Sequence, residues 1–566
     1  MEAALVRDGQ STVINGLLLF GVVFLILVGQ NQYKLLSRIA WTINRALGGA
    51  PHGTDLPGPS GWPIIGNLYD MKDGHIQKLK EWQAKYGDVI RCQLGEREMV
   101  VINSHKALAE TVVQQNVAYS SRPIFKLFHS DYASNGIWTV GTSPINDSVQ
   151  RTRKAFNAQV TPRVLPTYTK VIHPKLKKLL GEVFGISKGH AVDMADILHR
   201  FGTGQVSEQL MGLPLDDDTV AMLAENETNI FRQRTVGFPA RDYVPILRGV
   251  KRVIYSIGKA LGIESWSCDE AEDRARGYRR KQGVYIDKLL HDLKADIEAG
   301  TAPPSIMGNI LKKNLLDDTE ILLASYTGIA AGVNLGYALN WTVGYLANRP
   351  DLEEAAYSAI REVYGDAPPD PHDVDRVEFV KALHLEGSRV YTPVRLGFPR
   401  ETLEGATYRG MNIPKGTLTI MNLYSANHDP NVYDHPDDFR PERWMNGHKG
   451  RTDMLEAPGG KIGVPILTFG AGRRACPGFE MASRGLYSTL VLLIHFFTWE
   501  RQPMSEEAKQ DVFPLFRNQR ECSLEMDALA DTATPTEAQA IPWACGIKFR
   551  CRDPAAMQAW LENNDM

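Results

Sequence analysis

The sequence predicts a mainly α, α+β protein: a helix-rich body with small β-sheets, preceded by one N-terminal transmembrane helix. Three observations carry that expectation. Residues 13–28 form a charge-free apolar run, helical patterning dominates from 68 to 500, and strand-like segments punctuated by Gly and Pro interrupt it at 91–101, 391–424 and 545–551. The 566 residues are 43% hydrophobic and 23% charged, with a net charge of −3. That balance excludes a disordered polyelectrolyte and gives no electrostatic basis for binding nucleic acid. Six cysteines are too few for a disulfide scaffold, so the fold must rest on apolar burial.

The elements follow in order. Residues 1–30 are read as a tail and membrane anchor: Ser11 to Gln30 supplies about the 20 residues a helix needs to cross the hydrocarbon. Lys34, Arg38 and Arg45 follow it with no acid before Asp55, which favours a cytosolic body. The start is not basic and no A-x-A-like site follows promptly, so a cleaved signal peptide fits less well. Residues 31–67 form a linker whose prolines at 57, 59 and 63 stiffen it into an extended hinge. Residues 68–566 are the catalytic body. Within it, 91–101 reads as a hairpin turning near Gly95, and 317–349 as a long helix opened by an Asp317/Glu320 capping box. Residues 545–551 alternate as a half-buried strand.

The most informative decapeptide is Phe469-Gly470-Ala471-Gly472-Arg473-Arg474-Ala475-Cys476-Pro477-Gly478. Its glycines and proline crowd one cysteine into a loop that enters a helical run, Phe479 to Trp499. A helix N-terminus stabilises a thiolate, and glycines let the backbone approach a flat cofactor. Such a thiolate suits the axial position of haem iron. No C-x-x-C and no neighbouring His or Cys supports zinc instead. Cys92, Cys268, Cys522, Cys545 and Cys551 are read as structural.

The decapeptide resembles the haem-binding signature of the cytochrome P450 superfamily, F-x-x-G-x-R-x-C-x-G, with every fixed position filled. Glu386-Gly387-Ser388-Arg389 resembles the family's E-x-x-R pair, and Phe439 to Trp444 the segment that supplies a second arginine, here Arg443. The resemblance implies the helix-rich triangular cytochrome P450 fold and haem b, its iron bound by Cys476. It further implies Arg474 against a haem carboxylate, Arg395 and Arg151 as further haem-side candidates, Phe469 and Gly478 beside the porphyrin, and Glu386, Arg389 and Arg443 as a buried network. Ile145 stands where a tryptophan usually meets a haem carboxylate. Arg153 and Lys154 belong to the same basic run as Arg151.

The helix at 317–349 resembles the family's helix over the haem, which usually carries an acid–threonine pair. With Trp341 and Pro350 setting the register, Val333 takes the acid position and Asn334 the threonine position. A shift by one puts Asn334 at the acid and Leu335 at the alcohol. In either register the pair is absent, which makes Asn334 the candidate catalytic residue. Family membership implies a monooxygenase taking electrons from NADPH through a separate cytochrome P450 reductase. It also implies a single-pass endoplasmic reticulum anchor with a cytosolic domain. A reductase-independent isomerase or dehydratase, and a non-catalytic haem-binding protein, remain open. The segments 121–123, 139–144 and 150–154 are similar to fungal relatives of phenylacetate and small-phenol hydroxylases. That implies a small aromatic or polyketide-derived phenolic substrate in fungal secondary metabolism or aromatic catabolism, read by residues 122–138, 328–334 and 394–399.

Overall fold

A computed structural model describes residues 55–563, apart from 126–127, 130–138, 238–239, 245, 264–269, 375, 446–455, 458–459, 462–465, 507 and 511–520. The predicted anchor, most of the linker, Cys268 and most of the substrate-facing segment 122–138 lie outside the described residues.

A four-stranded sheet joins β1 (Val89–Leu94), β2 (Arg97–Ile102), β7 (Leu418–Met421) and β4 (Arg400–Glu401) in that order. β1 and β2 pair antiparallel around Gly95, whose φ of 56° lets the hairpin turn where it was expected. The proline segment is extended along this sheet: Arg91 donates its amide to Pro57 at 2.9 Å and its Nε to Leu56 at 2.7 Å. A second sheet joins β10 (Phe497–Arg501), β11 (Gly546–Cys551) and β3 (Val192–Asp193). Two ribbons complete the β structure, β5 (Ala406–Tyr408) with β6 (Met411–Ile413) and β8 (Glu456–Ala457) with β9 (Gly460–Lys461).

Five helices position the site: α1 (Asp147–Asn157), α2 (Ala195–Met211), α3 (Asp318–Leu346), α4 (Glu378–Tyr391) and α5 (Phe479–Phe496). α3 runs through the core and opens on the predicted capping box, with Glu320 N donating to Asp317 at 2.8 Å. It is long and apolar enough to cross a membrane, yet 78% of its apolar window is buried inside the body. Gly328, Gly332 and Gly336 let it lie directly on α2: a Cβ at Gly336 would stand 2.6 Å from the His199 Cα. The helix after Cys476 stops at Phe496, not at Trp499. Phe497 and Trp499 turn inward while Thr498 and Glu500 turn outward, and this two-residue alternation takes the chain into β10.

Candidate active site

The cysteine loop is closed by its own backbone, Cys476 N donating to Phe469 O at 2.8 Å. Gly472 has a φ of 63°, and a Cβ there would stand 2.7 Å from the Val112 carbonyl. No other residue fits the turn without displacing that chain. Phe469 meets Phe479 edge-on with ring centroids 5.0 Å apart, which fastens the loop to the start of α5. Gly478 is the N-cap of α5, and a Cβ there would lie 3.7 Å from the Cys476 sulfur. Cys476 keeps accessible surface although protein surrounds it densely enough for burial to push its thiol up. Cys476 therefore borders accessible space that protein closely surrounds. The Gly478 N–H and the Arg153 charge pull the other way.

Around this space sits a cluster of arginines. Arg474 donates to the carbonyls of Ser120 at 2.7 Å, Val140 at 2.9 Å and Ser143 at 2.8 Å. Arg400 donates to Tyr119 and Ala471, Arg122 to Phe398 and Pro399, and Arg153 to Ala475 at 3.0 Å. All partners are neutral carbonyls. Burial lowers the Arg400 guanidinium to about 9, and the charges of Arg474 and Arg153 push it the same way. Burial lowers Arg122 too, with Arg400, Arg474 and Arg153 adding to the effect. Among the described residues, the Nε atoms of Arg122 and Arg400 have no hydrogen-bond partner. Among the described residues, no carboxylate pairs with any of the four. Desolvated cations crowded together demand an anion.

Two expected members stand elsewhere. Arg151 pairs with Glu320 at 2.6 Å and is 58% exposed, because a two-residue step on α1 turns it from the face of Arg153. Arg395 is buried against Tyr424 and donates to Ala528, and its charge neighbours are Tyr424 and Asp527. Arg400, five residues on, occupies the cluster instead. Pro399-Arg400-Glu401 carries no local signal beyond a charged pair after proline, and only the sheet pairing reveals its place. Ile145 packs with Val140, Val149 and Leu323 in a small apolar cluster.

Beneath the loop, Glu386, Arg389 and Arg443 meet. Arg389 grips Glu386 through two bonds of 2.9 and 2.7 Å, and Arg443 Nε donates at 2.9 Å. Trp444 Nε1 and the Arg440 amide also donate to Glu386. Burial would raise the Glu386 carboxyl, but the bonds and charge of Arg389 and the charge of Arg443 hold it below its ordinary value. Arg389 further donates to the carbonyls of Asn427, Pro436 and Asp438, so every charge is met.

On α3 the residues that keep accessible surface include Thr327, Ala331, Asn334 and Ala338, one face at helical spacing. Thr327 Oγ1 accepts from the Val140 amide at 2.8 Å, and the Val140 carbonyl holds Arg474. That face is thus tied to the wall of the arginine cluster. Val333 is fully buried on another face, against Tyr337 and Ile541. Asn334 Oδ1 accepts from Gln539 Nε2 at 2.8 Å.

The comparisons with known proteins agree with this geometry. The family model for cytochrome P450 matches residues 56–525. The chain belongs to the cytochrome P450 family. It is similar to 3-hydroxyphenylacetate 6-hydroxylase of Emericella nidulans, 30% identical over 87% of this chain and 88% of the relative. Phenylacetate 2-hydroxylase of the same organism is 28% identical over 90% and 93%. A cytochrome P450 monooxygenase of Clonostachys rogersoniana, verL, is 26% identical over 81% and 82%. The chain is accordingly an enzyme of the cytochrome P450 monooxygenase class, and family membership implies haem iron. The residues present fit that group. An accessible thiol stands beside desolvated cations, two with Nε atoms that have no partner among the described residues, and these need the carboxylates that a haem carries.

Proposed function

We propose that this chain is a membrane-anchored haem-thiolate monooxygenase that inserts one oxygen atom from dioxygen into a small aromatic or phenolic substrate. The observation that carries the reading is the accessible Cys476 beside four buried or half-buried arginines that pair with no carboxylate among the described residues. In this reading Cys476 supplies the axial thiolate. Arg122, Arg153, Arg400 and Arg474 hold the two haem carboxylates, and Gly472 and Gly478 leave room for the porphyrin near the loop. When bound, a thiolate-ligated haem supplies the activation of dioxygen. The Glu386–Arg389–Arg443 network fixes the elements that support the loop. On α3, Asn334 stands where the family usually places a threonine. Its amide orients water or substrate by hydrogen bonding but has no ionisable proton to give, so water or a substrate hydroxyl relays protons at this position.

Electrons come from NADPH through a cytochrome P450 reductase, and residues 1–30 hold the enzyme on the endoplasmic reticulum with the body in the cytosol. The two hydroxylases named for phenylacetates support a phenylacetate-like or phenolic substrate. The decisive experiment uses purified holoenzyme with reductase, NADPH and 3-hydroxyphenylacetate under isotopically labelled dioxygen. One labelled oxygen in the product is expected, and a thiolate-type reduced carbon monoxide spectrum that Cys476→Ala abolishes. An unlabelled product formed from a hydroperoxide without NADPH overturns monooxygenation. An intact thiolate spectrum in the Cys476→Ala variant overturns the ligand.

A further inference from the structure

The loop 533–541 reaches back from the C-terminal part of the chain onto α3, and it is built rigidly. Thr534 Oγ1 donates to the Gln539 carbonyl at 2.6 Å and accepts the Ile541 amide at 3.0 Å. The Ala533 amide donates to Ile541 at 2.7 Å. Three further contacts tie the loop to other parts of the body. Trp341 of α3 donates to Ala540 at 2.9 Å, Ala540 donates to Pro393 at 2.8 Å, and Arg232 pairs with Glu537 at 2.8 Å. Gln539 is 2% exposed, and its Nε2 donates to Asn334 Oδ1. A clamp this firm does more than fill space.

An asparagine amide has two different ends. At position 334 the oxygen is taken by a buried donor on a fixed backbone. The Nδ2 group has no partner among the described residues, and it belongs to the accessible face of α3 that also carries Thr327, Ala331 and Ala338. We propose that Gln539 is a positioning residue: it fixes the Asn334 amide with its N–H bonds turned inward, making position 334 a hydrogen-bond donor that selects substrates carrying an oxygen acceptor there. This rests on the reading above that this face of α3 meets substrate. It assigns to the pair a specificity role distinct from the proton relay.

The test is equilibrium dialysis of the holoenzyme with two probes of nearly equal shape, acetophenone and isopropylbenzene, which differ by a carbonyl acceptor. The quantity read is the ratio of their dissociation constants. Asn334→Leu and Gln539→Met should each reduce the preference for acetophenone by about five- to tenfold, the worth of one hydrogen bond. Isopropylbenzene affinity should stay within about twofold in both. The double variant should lose no more than Asn334→Leu alone, because the two residues act as one unit. If Gln539→Met keeps the wild-type ratio while Asn334→Leu lowers it, the clamp is not what orients the amide. If neither variant moves the ratio, position 334 does not read an acceptor. A Gln539→Met variant that weakens both probes equally marks a purely structural residue and overturns the proposal. Dialysis reads binding whether or not the protein turns over, and the reduced carbon monoxide spectrum of the same samples shows separately whether thiolate ligation fails.

Discussion

Arg400 donates to the main-chain carbonyl of Ala471 at 2.6 Å, so the first residue of β4 holds the loop that carries Cys476. The same side chain is buried among Arg122, Arg153 and Arg474 with no acid opposite it. Its removal has two opposed effects: it releases a crowded, desolvated charge, and, in the proposed reading, it takes away a donor for a haem carboxylate. Arg400→Met is therefore expected to lose haem to an acceptor globin about ten- to a hundredfold faster, the worth of one charge-assisted hydrogen bond. Melting of the haem-free variant should shift little by comparison. Arg400→Lys keeps the charge without the fork and should fall between the two. Unchanged haem release in Arg400→Met would remove this residue from the cofactor site.

Arg151 offers the contrast. Its own side chain is 58% exposed and pairs with the buried Glu320, away from the arginines around Cys476. Arg151→Ala is expected to leave haem release unchanged, while Arg153→Ala, two residues on, accelerates it. Equal effects of both substitutions would contradict the division of α1 into a haem-facing and an outward side.

The difference between those two arginines marks the boundary of what a sequence reveals. The cysteine loop, the Glu386–Arg389 spacing, the capping box of α3 and the hairpin at Gly95 are local patterns, each set by neighbours within a few residues, and all are legible in the chain. The arginine cluster joins residues 122, 153, 400 and 474 through sheet and loop packing, so no spacing announces it. Arg395 and Arg151 are as basic as Arg400 and Arg153, and only their partners in the fold separate them: Arg395 is buried against Tyr424 and Arg151 pairs with Glu320. The end of α5 is misread for a related reason. Phe497 and Trp499 suit a helix face by composition, but their pairing with Cys551 and Phe549 makes a strand.

Glu386 concentrates the stability of the proximal side, accepting from Arg389, Arg443, Trp444 and the Arg440 amide. Glu386→Gln leaves the buried Arg389 and the half-buried Arg443 without an anion, and breaking a buried pair in this way costs about 3–5 kcal/mol. Denaturant melts should show that loss, with little holoenzyme recovered. Arg443→Ala, which removes a less deeply buried side chain, should cost less than Arg389→Ala. The reverse order would show that Arg443 is the principal partner.

The last prediction concerns acid. Burial lowers the His428 imidazole to about 3, the Arg389 charge adds to this, and the Tyr424 carbonyl opposes it. An unfolded chain takes up a proton at this residue near its ordinary value of 6.5, whereas the folded one does so only near 3. Between those values the unfolded state binds more protons, so folding stability rises with pH and falls as the solution is acidified. Each such histidine removes about 1.4 kcal/mol per pH unit across that window. His428→Phe retains the stacking on Tyr424, seen with centroids 4.1 Å apart, and removes the proton uptake. Chemical melts at pH 4.5 and 6.5 should therefore differ less in the variant than in the wild type, by about 2 kcal/mol or more. Equal acid sensitivity of the two proteins would show that His428 is protonated in the folded state as readily as in the unfolded one.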